Sequence, residues 1–284
     1  MHSPRYHYTA VGHVTIDVFD DGSARPGGSA FYAALQAARL GLRALVITRG
    51  VASEIEALLA PYAHELAVRV LDGEHTTTLL TSGADGERSQ RVRAWAGPIA
   101  DQLELDTHIL HLAPVARESP ASWRGRPAFV GLTPQGLARA WDGPTGTVTH
   151  VTPDADAAAI ARRCNALVVS DHERASCAAL IAAARAAGAV VAITAGARPT
   201  TLLAPGAGER TLAVAPVTNA VDDLGAGDVF AAAFFIALSE GQDVTAAARF
   251  ASAAAAVRMR GLGAGAIGGR ADVQERLTLA ARGR

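Results

Sequence analysis

Asp228 stands directly behind Gly225-Ala226-Gly227 and opens an apolar run, Val229-Phe230 and then AAAFFIAL, with the composition of a buried helix. A small-residue turn that feeds a helix leaves backbone N–H groups without intrahelical partners. The aligned peptide dipoles make that end attractive to an anion. Gly-Ala-Gly keeps bulky side chains away from an approaching phosphate. A carboxylate on the first turn then lies beside the bound phosphate, where it can take the proton of an attacking hydroxyl. An ordinary helix start with an acidic first turn has the same local sequence, so the segment alone leaves both readings open.

Other reactive side chains are easier to place. The chain has no lysine, which removes Schiff-base chemistry and a P-loop lysine. Cys164 and Cys177 form no CxxC pair and read as small core residues of a reducing compartment. Gly263 to Gly268 spells GxGxxG but follows a helix, so a dinucleotide fingerprint lacks its first strand. His108 and His111 are three apart in a strand-like run, which aims them at opposite faces and denies them a shared metal. Asp154 and Asp156 read as the acidic start of a helix through Arg163. Arg88, Arg91 and Arg93 cluster, with Arg91 and Arg93 on one strand face, either towards a substrate or as a protected edge.

The elements that must position these groups alternate. Tyr8–Gly12, Ala44–Ile47, Ala166–Val169 and Ala189–Ile193 have strand length, with helical patterns at Ala30–Leu40, about Glu173–Ala187 and from Asp243 to Met259. Asp243 is placed to cap the last of these, and Gly41 to end the first. Gly188, Gly241 and Gly261 stand where left-handed C-terminal caps are expected. Alternation of this kind predicts a mostly parallel sheet covered on both faces. Residues 74–94 break the rhythm with two strands joined by a turn at Gly83 to Gly86, which with residues 15–27 would form a small antiparallel lid. The expectation is one α/β domain over residues 1–284, without linker or repeat.

Composition bounds the rest. With 284 residues, 50% hydrophobic and 19% charged, the chain can bury a sizeable core and is not globally disordered. A net charge of −1 argues against a nucleic-acid partner. The start lacks the apolar run of a signal peptide and no uncharged apolar stretch is long enough to span a bilayer, so a cytoplasmic protein without membrane contact is expected.

GAGD preceded by Asp222 and Asp223 resembles the second signature of the ribokinase-like (PfkB-type) carbohydrate kinases. Gly27-Gly28-Ser29-Ala30 through Arg39-Leu40-Gly41 resembles the first. The resemblance implies a three-layer α/β/α fold and phosphoryl transfer from ATP·Mg²⁺ to a hydroxyl of a small sugar, polyol or nucleoside. Asp228 would be the general base, with the N–H groups of Gly225, Ala226 and Gly227 as the anion hole. Val11 to Asp17 is similar to the family's first strand, so Asp17 would hold substrate hydroxyls near Gly27 and Gly28. Thr133-Pro134-Gln135 with Arg139 is similar to a segment near the reacting phosphate, and Arg91 would reach the substrate from the lid.

On the donor side, Ser170 to Glu173 resembles Asn-x-x-Glu, giving Ser170 to the nucleotide and Glu173 to magnesium through water. Thr194 and Gly196 resemble a nucleotide-contacting turn, with Gly263 and Gly265 in a nucleotide-side loop and Ser252 near the adenine. Asp222 would help seat a monovalent cation, K⁺, behind the hole. A homodimer through the lid fits the same pattern. Ser170, Asp223, Tyr32, Ser29 and Thr133 each depart from the usual asparagine, threonine, asparagine, lysine and aspartate. The lid and neighbouring segments look most like an inositol-kinase subgroup. The rival reading is a nucleotide- or sugar-binding regulator without turnover, favoured by the altered positions and opposed by the intact GAGD.

Overall fold

The computed structural model describes residues 4–83, 89–100, 102–214 and 217–282. Short β-branched and aliphatic runs become strands because both of their faces are covered. Among the described residues nine strands form the main sheet, in the order Arg210–Leu212, Arg198–Leu203, Val190–Ala195, Ala166–Ser170, Phe129–Leu132, Thr107–Leu112, Tyr6–Val11, Ala44–Gly50 and Ala67–Asp72. The pairings are parallel except those that attach Arg198–Leu203 and Arg210–Leu212, which are antiparallel.

One face packs on the helices Ser29–Arg39, Ala226–Ser239 and Val244–Arg258, and the other on Ala155–Ala161 and Ala178–Ala186. This is the three-layer α/β/α arrangement. Ala-rich helices approach closely because their side chains are small, so the two central helices bury nearly all their apolar positions. Among the described residues no helix is long and apolar enough to cross a membrane.

A second sheet of five short strands stands to one side, ordered Gly146–Thr147, Ser89–Ala94, Thr78–Ser82, Thr15–Phe19 and Ala24–Gly27. Three of its pairings are antiparallel, while Thr15–Phe19 runs parallel to Thr78–Ser82. Sequence reasoning missed the two-residue strand Gly146–Thr147, which is too short to show a period. The turn expected at residues 83–86, apart from Gly83, and Arg88 lie outside the described residues.

Two local expectations need correction. The helix expected over Glu173–Ala187 is a 3₁₀ turn, Asp171–Glu173, and a separate helix, Ala178–Ala186. Glu173 turns back to accept from the Ser170 N–H at 3.4 Å, and the Ser176 hydroxyl donates to the Glu173 carbonyl. Side-chain bonds to the backbone thereby interrupt the helical ladder. Gly188 and Gly241 are left-handed as expected, but after the long helix that conformation falls on Gly263, not Gly261. Asp243 caps its helix through the N–H groups of Thr245 and Ala246, and Asp154 caps the helix Ala155–Ala161.

Candidate active site

The carboxyl ends of the parallel strands, where ligands of open α/β sheets gather, meet the inner face of the small sheet. Asp17 lies on that face, because its strand register groups it with Leu79 and Val92. It is 3% exposed and accepts from the Thr15 hydroxyl at 2.7 Å. Gly27 passes so close to its carboxylate that a β-carbon there would overlap it. Beneath the sheet Leu79 and Val92 pack on Val115 and Ala116, with Trp95, Trp141 and Val148 closing the cluster. Trp95 and Trp141 meet edge to face at 5.8 Å, an apolar wall suited to the C–H face of a ring.

Gly225 begins the Ala226–Ser239 helix in the left-handed conformation (φ 75°), and a β-carbon on it would run into the Tyr32 ring. Only glycine meets both demands. The Ala226 N–H donates to the Asp223 carbonyl at 3.1 Å, so it is not a donor of the anion hole as expected. No described acceptor takes the N–H groups of Gly225, Gly227 or Asp228. Gly227 has ordinary helical backbone and open space where a β-carbon would stand. Nothing in the fold itself therefore requires glycine at that position.

Asp228 accepts from the Ser29 hydroxyl. Burial pushes its carboxyl up to about 6, against the Ser29 hydrogen bond and Arg139, with Glu173 and Asp17 adding repulsion. Those interactions also show that Asp17, Arg139, Glu173 and Asp228 share one field. Arg139 is buried and donates Nη1 to the Val115 carbonyl, while its Nε has no acceptor among the described residues. Desolvation lowers its pKa, and Glu173, Asp17, Asp228 and Glu118 hold it up. A guanidinium whose Nε has no acceptor among the described residues, in the same field as the Asp228 carboxylate, suits an anion. Gln135 opens the 3₁₀ turn Gln135–Ala138, half-buried, just before it.

Behind the helix start lies an apolar cavity of about 340 Å³, lined in part by Thr194, Gly196, Ala226, Gly227, Phe230 and Ser252. Thr194, Gly196 and Ser252 therefore converge as expected, although the Ser252 hydroxyl is bonded to the Ala248 carbonyl. Gly263 and Gly265 do not line this cavity. The Gly263 N–H donates to Asp222, and the Gly265 carbonyl accepts from Arg39. Ser170 lends its side chain and N–H to a capping box with Glu173, which is 5% exposed.

Arg91 pairs with Leu80 and Thr147, on the face opposite Leu79 and Val92. It is exposed there and does not reach the site from the lid as expected. His111 is buried with its pKa down to about 3, bonded to Tyr8 and Thr133, while His108 reaches Ser239 on the far side. Among the described residues no three His, Cys, Asp or Glu side chains gather to hold a metal. Glu173 and Asp228 suit Mg²⁺ bound through water and donor phosphates, the manner in which that ion is usually held.

Asp222 does not suit a monovalent cation. It pairs with buried Arg258 at 2.9 Å and accepts from the N–H groups of Leu224 and Gly263. Desolvation raises its pKa, yet those three partners outweigh it and hold the carboxyl below the usual value. Sequence reasoning gave Arg258 and Ser29 no role. An arginine closing the apolar run Ala253–Val257 of that helix was the available signal for Arg258.

A mostly parallel α/β/α sheet, a helix start with free N–H groups and a facing β sheet define the ribokinase-like fold. Residues 138–267 match the family described as pfkB family carbohydrate kinase. A segment of 59 residues is 49% identical to the ribokinase of Bacillus subtilis (strain 168), spanning 20% of this chain and about a fifth of the relative's length. Whole-chain likeness is structural. A pyrophosphate-dependent kinase in the ribokinase family, solved with sulfate, matches with a TM-score of 0.73 at 19% identity, covering 95% of this chain and 99% of that one. The ribokinase of Arabidopsis thaliana, complexed with ribose and ATP, matches at 0.73 and 18%, covering 97% and 99%. The nucleoside kinase of Methanocaldococcus jannaschii matches at 0.73 and 17%, covering 98% and 100%.

Proposed function

We propose that this protein transfers the terminal phosphoryl group of a nucleoside triphosphate to a hydroxyl of a small sugar or polyol, with Asp228 as general base. The observation that carries the reading is the position of Asp228. It sits on the first turn beside unpaired N–H groups, its carboxyl poised near 6, between Asp17 and an apolar cavity. At neutral pH that carboxylate is ionised and still basic enough to take a hydroxyl proton.

Asp17 would hold and orient the acceptor, with Trp95 and Trp141 against its ring. As the hydroxyl oxygen attacks the terminal phosphorus, Asp228 takes its proton and the bond from that phosphorus to the bridging oxygen breaks, releasing the nucleoside diphosphate. The N–H groups of Gly225, Gly227 and Asp228, with Arg139 opposite, would stabilise charge on the transferring oxygens. Bound Mg²⁺, held through water near Glu173 and Asp228, would neutralise donor phosphate charge. The apolar lining behind Gly227 supports a nucleotide donor, since a bare pyrophosphate has no group to place there. Donor tests should still include pyrophosphate, because a structural neighbour is described as pyrophosphate-dependent. Product formation from ATP or pyrophosphate with sugars, polyols including myo-inositol, and nucleosides tests the reading. No phosphorylated product from any pair would leave a binding protein on the same fold.

A further inference from the structure

The turn that carries the anion hole is held from behind by a single buried cation. Arg258, in the last turn of the Val244–Arg258 helix, is 0% exposed. Its Nη2 donates to Asp222 Oδ2 at 2.9 Å. Its Nη1 donates to the Gly261 carbonyl at 3.0 Å and, more loosely, to the Asp222 carbonyl at 3.3 Å. The guanidinium also stands 5.5 Å from the centre of the Tyr32 ring, the ring against which Gly225 packs.

Two carbonyls and a carboxylate converging on one positive centre form the hard oxygen set that an alkali cation would take. Here the oxygens are used by a side chain that no dilution can remove. The same carboxylate holds the Leu224 and Gly263 N–H groups, so one pair fastens the 222–225 turn to the 261–263 loop.

We infer that Arg258 is the internal cation of the phosphate hole, a positioning residue that replaces a bound monovalent ion and makes anion binding there independent of potassium. The inference uses the hole's geometry and rests on the proposed function only for what the hole is for. A buried guanidinium left without its acceptors, or acceptors without the guanidinium, would be destabilised. Removing Arg258 should therefore let the turn relax and scatter the N–H groups that depend on it.

The test measures binding of ATP and of inorganic pyrophosphate to the full chain by calorimetry, in potassium, sodium and tetramethylammonium salts at one ionic strength. Kd and Tm should agree within about 2-fold and about 1 °C across the three. A 10-fold tightening by potassium, or a saturable rise in Tm with potassium alone, would overturn the inference. Arg258→Ala should bind pyrophosphate at least 10-fold more weakly and recover part of the loss with added guanidinium ion. Wild-type affinity in that variant would also overturn it. Should the variant not fold, the wild-type salt series decides alone. Cation-indifferent anion binding without any phosphorylated product would sink the proposed function and leave the inference standing.

Discussion

Asp228→Asn should lose activity and gain stability, and the two effects have one physical source. The folded carboxyl keeps its proton to about pH 6, against 3.8 for an ordinary aspartate. Folding therefore takes up a proton between those values, and stability falls as pH rises through that window. Above pH 6 the ionised carboxylate costs the fold its full penalty, at most about 3 kcal/mol for a pKa displacement of this size. Partial contact with solvent reduces it, so about 1–2 kcal/mol is expected. Asparagine keeps the volume and can still accept from Ser29 while carrying no charge. Urea unfolding at pH 8 should show the variant more stable than wild type by that margin, with the difference vanishing near pH 4. Turnover should fall ~10²–10⁴-fold, the usual worth of a positioned base. Wild-type kcat should itself decline below pH 6 as the base is protonated. A variant that is less stable at pH 8, or that turns over at the parental rate, would refute both the burial argument and the role of base.

The two glycines of the hole should separate. Gly227→Ala should melt within about 2 °C of wild type and lose at least ~10-fold in kcat, since its β-carbon would occupy phosphate space and strain nothing. Gly225→Ala should lower stability by more than ~2 kcal/mol in denaturant unfolding, from left-handed strain and overlap with Tyr32. Asp17→Asn should raise the acceptor KM ~10-fold or more with the donor KM unchanged in steady-state kinetics, because the carboxylate faces the lid side of the cleft. Hydrogen exchange at Thr78–Ser82 and Ser89–Ala94 should slow when the acceptor binds and stay constant with ATP alone, as closure over the acceptor requires.

The strand–helix alternation, the mostly parallel sheet and the Asp228 turn were legible in the sequence. They depend on period, caps and short glycine spacing, which act over a few neighbouring residues. The glycine spacing did not show which of the two glycines the fold itself requires; the tertiary structure puts that demand on Gly225, because only packing brings Tyr32 against it. The sequence likewise could not show that the Ala226 N–H is spent on Asp223, since that depends on how the turn closes. Arg91 alternates with Val92 as expected, yet which face looks inward is decided by pairing with Thr78–Ser82, a strand with no local link to Asp228. Asp222 and Arg258 are 36 residues apart and meet through the fold alone. Residue types at short spacing thus establish which chemistry is available. Which groups are desolvated, paired or left free depends on contacts between segments distant in sequence, which no local pattern encodes.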